Sequence, residues 1–75
     1  MLDLDHIFTH HPPTEPQLAQ YHAVRAAGYA FAKAIVANTP KSADQAAAIR
    51  KVREAVFTAN AAIALGGRLD VVAKG

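Results

Sequence analysis

Three of the four histidines of this chain stand close together near its N-terminus, beside two aspartates. Imidazole and carboxylate groups bind zinc and other transition metals, so a metal site is the first hypothesis for His6, His10, His11, Asp3 and Asp5. In an extended chain, however, adjacent histidines point to opposite faces, and only one further histidine follows. The spacing therefore favours exposed or hydrogen-bonded histidines, and we expect no metal and no cofactor.

A second set of residues could bind a phosphorylated ligand by stacking and charge. Histidine and tyrosine rings stack on nucleobases, which makes Tyr21 a candidate contact, although the helical spacing of Tyr21 and Tyr29 also favours packing. Arg25 could likewise have a structural role, in which it pairs with Glu15 or covers apolar surface with its stem. The cations that could meet phosphates are Arg25, Lys33, Arg50, Lys51, Arg53 and Arg68.

Two residues within the predicted helices are costly unless the fold compensates for them. A glycine in mid-helix costs ~1 kcal/mol relative to alanine, so Gly28 predicts a close crossing of two backbones. Asn60 is surrounded by alanines, and its amide would be costly if it were buried without a partner. We expect that partner to come from an interface or from a ligand.

The sequence offers little support for catalysis. It has no Ser-His-Asp grouping, no glycine-rich phosphate loop and no paired-carboxylate signature, so an enzyme would have to assemble its site wholly across subunits. It also has no cysteine, which excludes disulfides and cysteine-based zinc sites.

Charge and hydropathy limit the partners. Eight basic residues against six acidic ones give too weak a field for nonspecific DNA binding. No stretch approaches the ~18 apolar residues of a membrane span, and the acidic N-terminus does not resemble a signal peptide. We therefore expect an intracellular protein without DNA or membrane partners.

These residues must be positioned by two long helices and an arm. Residues 1–13 alternate apolar and polar positions and end in two prolines, which predicts an extended arm. Thr14 and Gln17 form a predicted capping box at the start of a first helix over residues 15–38, which ends before Thr39-Pro40.

The second helix is predicted over residues 43–65. It begins at another predicted capping box, Ser42 to Gln45, and ends at two glycines that can adopt left-handed backbone. The short connection makes the two helices antiparallel neighbours. Residues 68–75 are expected to form a small strand or a tail packed on a partner. The fold class is thus all-α, a single domain built as a helical hairpin with an N-terminal arm.

The chain is too small to be stable alone. It has 75 residues, and although 52% are hydrophobic, many of these are alanine, which buries little area. A core of this size supplies only ~3–5 kcal/mol. With disulfides excluded, we expect a homo-oligomer.

Three segments of the sequence resemble a known family. They are FTHHPPTEPQ at residues 8–17, YHAVRAA at 21–27 and IRKVREAVFTANAAIAL at 49–65. Together they resemble the phage anti-CBASS cyclic-oligonucleotide sponges of the anti-CBASS protein two type. The likeness covers residues 7–65, and the first segment and the EAV-x-x-ANAAIA run contribute most to it.

The resemblance implies both a fold and a function. Members of that family are all-helical, assemble as compact hexamers, and bind without cleaving the cyclic di- and trinucleotides made by bacterial cGAS-like enzymes. The implied partners are cyclic dinucleotides such as cyclic GMP-AMP, with cyclic trinucleotides as further candidates, and the implied location is the cytoplasm of the host bacterium.

The same resemblance implies roles for particular residues. His10 would stack on a base, and Arg25 would meet the phosphates of a cyclic dinucleotide. The family more often has tyrosine and lysine at these positions; histidine offers a smaller ring, whereas arginine keeps the charge and adds bidentate phosphate geometry. His11 and Ala27 fall near a separate trinucleotide site, to which Arg68 would supply a cation.

Two other functions stay open. An oligomeric hairpin could dock a host protein through its outer face, in which case Arg25 and His10 would be free to vary. A DNA-binding regulator is the third candidate, and it is disfavoured because no helix-turn-helix is present and charge is clustered only at residues 50–53.

Overall fold

Two long helices and one short helix make up the regular structure of this chain. The computed structural model describes residues 1–72, with α1 at Leu4–Phe8, α2 at Glu15–Asn38 and α3 at Ala43–Leu65. Over those residues the β-type pairing is one isolated antiparallel bridge, Leu2 to Asp70. The predicted all-α hairpin is confirmed, and α2 and α3 have the bounds that the capping signals predict.

The arm differs from its prediction. An extended arm is expected over residues 1–13, but they contain α1, and the Asp3 side chain accepts a hydrogen bond from the His6 backbone N–H at 3.1 Å. An aspartate cap of this kind starts a helix locally. The apolar residues of α1 lie three and four positions apart, which suits one face of a helix, and the prolines come only after it ends. The helical spacing therefore outweighs the simple alternation.

The start of α2 has the predicted capping box. The Thr14 hydroxyl accepts from the Gln17 N–H at 3.3 Å, and the Gln17 amide oxygen accepts from the Thr14 N–H at 2.9 Å. The Gln17 Nε2 also donates to the Ile63 carbonyl at 3.1 Å. One side chain thus caps α2 and fastens it to the end of α3.

The start of α3 has only half of the predicted capping box. The Ser42 hydroxyl accepts from the Gln45 N–H at 3.1 Å, but the Gln45 amide turns away and donates to the Thr39 carbonyl at 3.1 Å. The short connection brings that carbonyl within reach of Gln45. At the other end, Gly66 adopts a φ of 63°, the left-handed cap that the sequence predicts.

The helices cross most closely at Gly28. A Cβ atom at that position would lie 2.5 Å from Cγ2 of Val56 and 3.9 Å from Cγ1 of Val52. The close crossing predicted from a mid-helix glycine is confirmed, since only hydrogen fits there. We call Gly28, Val52 and Val56 the seam of the hairpin.

A single copy leaves its apolar surface uncovered. No side chain of residues 1–72 is fully buried, and Phe8, Phe31 and Phe57 are 83%, 60% and 60% exposed. The radius of gyration is 16.0 Å, against about 11 Å for a compact domain of this length. The accessible surface is 5940 Å², against roughly 4400 Å² for a folded monomer of this mass. The hairpin therefore has no core of its own.

The tail beyond α3 returns to the arm. The Asp3 N–H donates to the Leu69 carbonyl at 2.8 Å, and the Val71 N–H donates to the Met1 carbonyl at 2.9 Å. We call residues 1–3 with 68–71 the clasp. The part of the predicted tail at 73–75 lies outside the described residues. Among residues 1–72, no helix combines the length and the apolar character needed to cross a bilayer.

Candidate functional site

A groove with two arginines runs along one side of the seam. It has a volume of about 290 Å³, and it combines guanidinium groups, aromatic rings and a half-buried amide side chain. We call it the cationic groove. Besides the seam, its lining residues are Arg25, Tyr29, Ala32, Ile49, Arg53, Phe57 and Asn60.

The cations of this groove are not neutralised by acidic neighbours. Within residues 1–72, no carboxylate oxygen lies within 4.0 Å of Arg25 or Arg53, so the pairing of Arg25 with Glu15 that the sequence allowed is not formed. Arg53 instead lies over the Phe57 ring, with its Cζ 5.8 Å from the ring centroid. Lys33 lies in the same way over Tyr29, at 5.5 Å. Cation–π contacts hold the positive charges beside the rings without cancelling them.

Asn60 contributes a polar atom that lacks a partner. Its Oδ1 atom is buried, and among residues 1–72 no group donates a hydrogen bond to it. Such an acceptor costs ~1–3 kcal/mol when unpaired. In this conformation residues 1–72 therefore do not supply the partner that the sequence predicts.

A larger groove lies on the other side of the seam. Its volume is about 540 Å³, and Lys51 is the single charged residue among those that line it. We call it the apolar groove. Besides the seam, its lining residues are Val24, Ala27, Phe31, Ile35, Ala48, Lys51, Ala55 and Ala59.

The six residues predicted to contact ligand are not brought together within one chain. Arg25 lines the cationic groove, Ala27 lines the apolar groove, and the half-buried Tyr21 lines neither. His10 lies exposed on the segment between α1 and α2. Neither groove is lined by more than one of the six residues.

His11 is part of a hydrogen-bonded pair of histidines. Its Nε2 donates to the His6 carbonyl at 2.7 Å, and the two rings meet edge-on with centroids 4.7 Å apart. The His6 Nε2 donates in turn to the Leu65 carbonyl at 3.0 Å. These contacts fix the arm to the end of α3. No group of three or more histidine, aspartate and glutamate residues able to hold a metal occurs among residues 1–72.

Arg68 closes the clasp. Its Nη1 donates to the Asp3 carboxylate at 2.8 Å and to the Asp70 carbonyl at 2.9 Å. This contact, together with the backbone N–H of His6, lowers the pKa of Asp3 below its ordinary value of 3.8. Arg68 therefore has a structural partner in the free chain, with which a ligand phosphate would have to compete.

The lowered pKa of Asp3 gives the clasp a defined pH dependence. Because the folded pKa lies below 3.8, ionisation of Asp3 stabilises the clasp above that pH, and the contribution is lost as the pH falls through the folded pKa. In an NMR titration, the Val71 amide should report a midpoint below 3.8. We expect Asp3→Asn to abolish this transition and Asp5→Asn to leave it unchanged. A wild-type midpoint at or above 3.8 would contradict the assignment.

The sequence singles out Arg53 and Asn60 separately but does not place them beside Arg25. The register of the two helices would predict this proximity. If α2 and α3 pair in antiparallel fashion with Gly28 opposite Val56, Arg25 lies level with Asn60. The flanking position of Phe57 follows from the same register. The groove can therefore be predicted only when the residue-by-residue pairing of α2 and α3 is known.

Comparison with known proteins identifies one family. Residues 2–64 match the family model described as "Acb2/Tad1, hairpin domain". No curated protein and no solved structure gives a match.

Proposed function

The chain belongs to the Acb2/Tad1 hairpin family, and on this premise we propose that it sequesters cyclic dinucleotide second messengers such as cyclic GMP-AMP. The family is one of cyclic-nucleotide sponges that bind and do not catalyse. The match over residues 2–64 is the observation on which the proposal depends. Removing the messenger in the cytoplasm of the host bacterium would silence CBASS antiphage signalling.

The proposed binder is a homo-oligomer, with a hexamer as the expected form. Roughly 1500 Å² more surface is exposed than a folded monomer of this mass should have. A standard interface buries ~800 Å² on each partner, so two neighbours per chain would cover the excess. The apolar groove, with Lys51 its one charged residue, is suited to contact between copies.

Ligand binding is proposed where copies join. Arg25 supplies a cation for the phosphates, and His10, exposed on the arm, supplies a ring that can stack on a base. A two-fold axis between copies would match the two-fold character of a cyclic dinucleotide. Cyclic trinucleotides are proposed to bind at a second site near His11, Ala27 and Arg68, and Tyr21 is a further contact candidate.

The energetics of such a site are sufficient. Two stacked bases contribute ~2–6 kcal/mol, and charge-assisted bonds to the phosphates contribute ~1.5–3 kcal/mol each. Submicromolar affinity requires about 8 kcal/mol or slightly more. Because association itself costs free energy, several such contacts from each of two copies are needed to reach that value.

The alternative is an oligomeric helical protein that docks a host partner. The observation that favours it is the exposure of the Phe8, Phe31 and Phe57 rings, which would form the docking surface. For that function the charges of the cationic groove would be dispensable.

Sequestration is tested by recovering the ligand. The purified protein should deplete free cyclic GMP-AMP across a dialysis membrane, and denaturation with guanidinium should return the nucleotide unchanged in mass. Degraded nucleotide would indicate an enzyme instead. Failure to bind any cyclic di- or trinucleotide would favour the docking protein.

A further inference from the structure

We infer that Arg53 and Asn60 contact the ligand together with Arg25, so that each cationic groove holds one phosphorylated nucleotide unit. The inference rests on the proposed function and extends it. It assigns the phosphate to the two guanidinium groups and a base or ribose hydrogen-bond donor to the Asn60 amide oxygen. Both residues lie in the segment that resembles the sponge family, but the resemblance assigns a ligand contact to neither of them.

The charges of the groove favour an anion over another protein surface. Arg25 and Arg53 line one small space, and within residues 1–72 neither has a carboxylate oxygen within 4.0 Å. Like charges held close together are stabilised by an anion between them. A second copy placed here by a two-fold axis would bring two more guanidinium groups, whose charge the phosphates of a bound ligand would offset. In the apolar groove, where Lys51 is the one charged lining residue, a second copy would meet little charge repulsion.

The rings of the groove suit a base. Arg53 is held 5.8 Å from the Phe57 centroid, and Tyr29 lines the same groove beside Lys33. A phosphate at Arg53 would therefore bring the attached nucleoside next to an aromatic face, where stacking contributes ~1–3 kcal/mol per base.

The amide of Asn60 needs the donor that a nucleotide carries. Its Oδ1 is buried and unpaired in the single chain, yet the side chain lines the groove. Terminal amide torsions are broad, so a modest rotation turns the oxygen toward a ligand. Base amino groups and ribose hydroxyls are donors of the required kind, whereas phosphate is not.

The size of the groove is compatible with one nucleotide unit. Its volume of about 290 Å³ lies at the lower end of ligand pockets, which span ~300–1,000 Å³. A groove of this size suits one nucleotide unit. Two grooves from two copies would together accommodate a whole cyclic dinucleotide.

The test is calorimetric titration of cyclic GMP-AMP into the full chain and its variants, with the oligomer mass measured by light scattering. Arg53→Gln should weaken binding by about 10-fold or more for each of the two charge-assisted bonds that a two-fold site loses, and Arg53→Lys should recover part of the affinity. Asn60→Leu, nearly isosteric, should weaken binding by about 5-fold or more while leaving the free protein as stable or more so. Arg50→Gln is the matched control, since Arg50 lies on the same helix outside both grooves, and it should change affinity by less than about 2-fold.

The outcomes distinguish a failure of this inference from a failure of the proposed function. If the wild type binds and Arg53→Gln behaves like Arg50→Gln, the inference is overturned and sequestration stands. If Asn60→Leu loses affinity only together with oligomer mass, the amide belongs to a contact between copies, which overturns its ligand role. If the wild type binds no cyclic nucleotide, both proposals fail.

Discussion

Replacing Arg25 with alanine is expected to lower the affinity for cyclic GMP-AMP by at least about 100-fold while leaving the oligomer mass unchanged. A charge-assisted bond is worth ~1.5–3 kcal/mol, and a two-fold symmetric site loses two of them at once. The side chain is exposed and lacks a carboxylate partner among residues 1–72, so its removal should cost little stability. Calorimetry gives the affinity, and light scattering gives the mass.

The conservative variant separates charge from shape. Arg25→Lys keeps the charge but loses the bidentate geometry, so it should weaken binding by no more than about 10-fold. An affinity of Arg25→Ala equal to that of the wild type would refute the proposed phosphate contact and favour the docking protein.

The largest effect on stability is expected at the seam. Gly28→Leu should abolish the cooperative unfolding transition, because even a Cβ there would lie 2.5 Å from the Val56 methyl group. Valine is stiff about χ1 in a helix and cannot turn aside easily. Overpacking costs ~1–3 kcal/mol or more, comparable with the ~3–5 kcal/mol that a chain of this size has available. Urea unfolding followed by circular dichroism measures the loss.

A compensating pair provides the control. In a Val56→Ala background the obstructing methyl groups are gone, so Gly28→Ala should be tolerated there, with a gain of up to ~1 kcal/mol from helix propensity. In the wild-type background the same change to alanine should be less favourable by more than about 1 kcal/mol. Equal effects in both backgrounds would show that the crossing is not close.

The long helices could be predicted because their ends are determined by local chemistry. Thr14 and Ser42 accept from amides three residues ahead, and Gly66 supplies the left-handed cap, all within one turn of the chain. The same local chemistry starts α1 at Asp3, but there the apolar and polar alternation also predicts an extended arm. The two patterns compete, and the cap is the better guide.

The candidate site was less predictable because it depends on distant pairing. Arg25, Arg53 and Asn60 belong to two helices, and only the register across the seam brings them to one groove. Arg68 was misleading for the same reason. Its charge suggests a phosphate contact, but in the free chain its guanidinium group pairs with the carboxylate of Asp3, which is distant in sequence. Contacts between copies are harder still to predict, because they depend on how the surfaces that one chain leaves exposed fit those of another.

The absence of a fully buried side chain among residues 1–72 has a consequence for the timing of infection. Under the proposed assembly, a dispersed chain is neither stable nor complete as a binder. By mass action, the number of assembled particles rises more steeply than the number of chains while chains are scarce. Sequestering capacity would then be absent during the first rounds of synthesis and would increase abruptly past a threshold, and captured messenger that bridges two copies would lower that threshold.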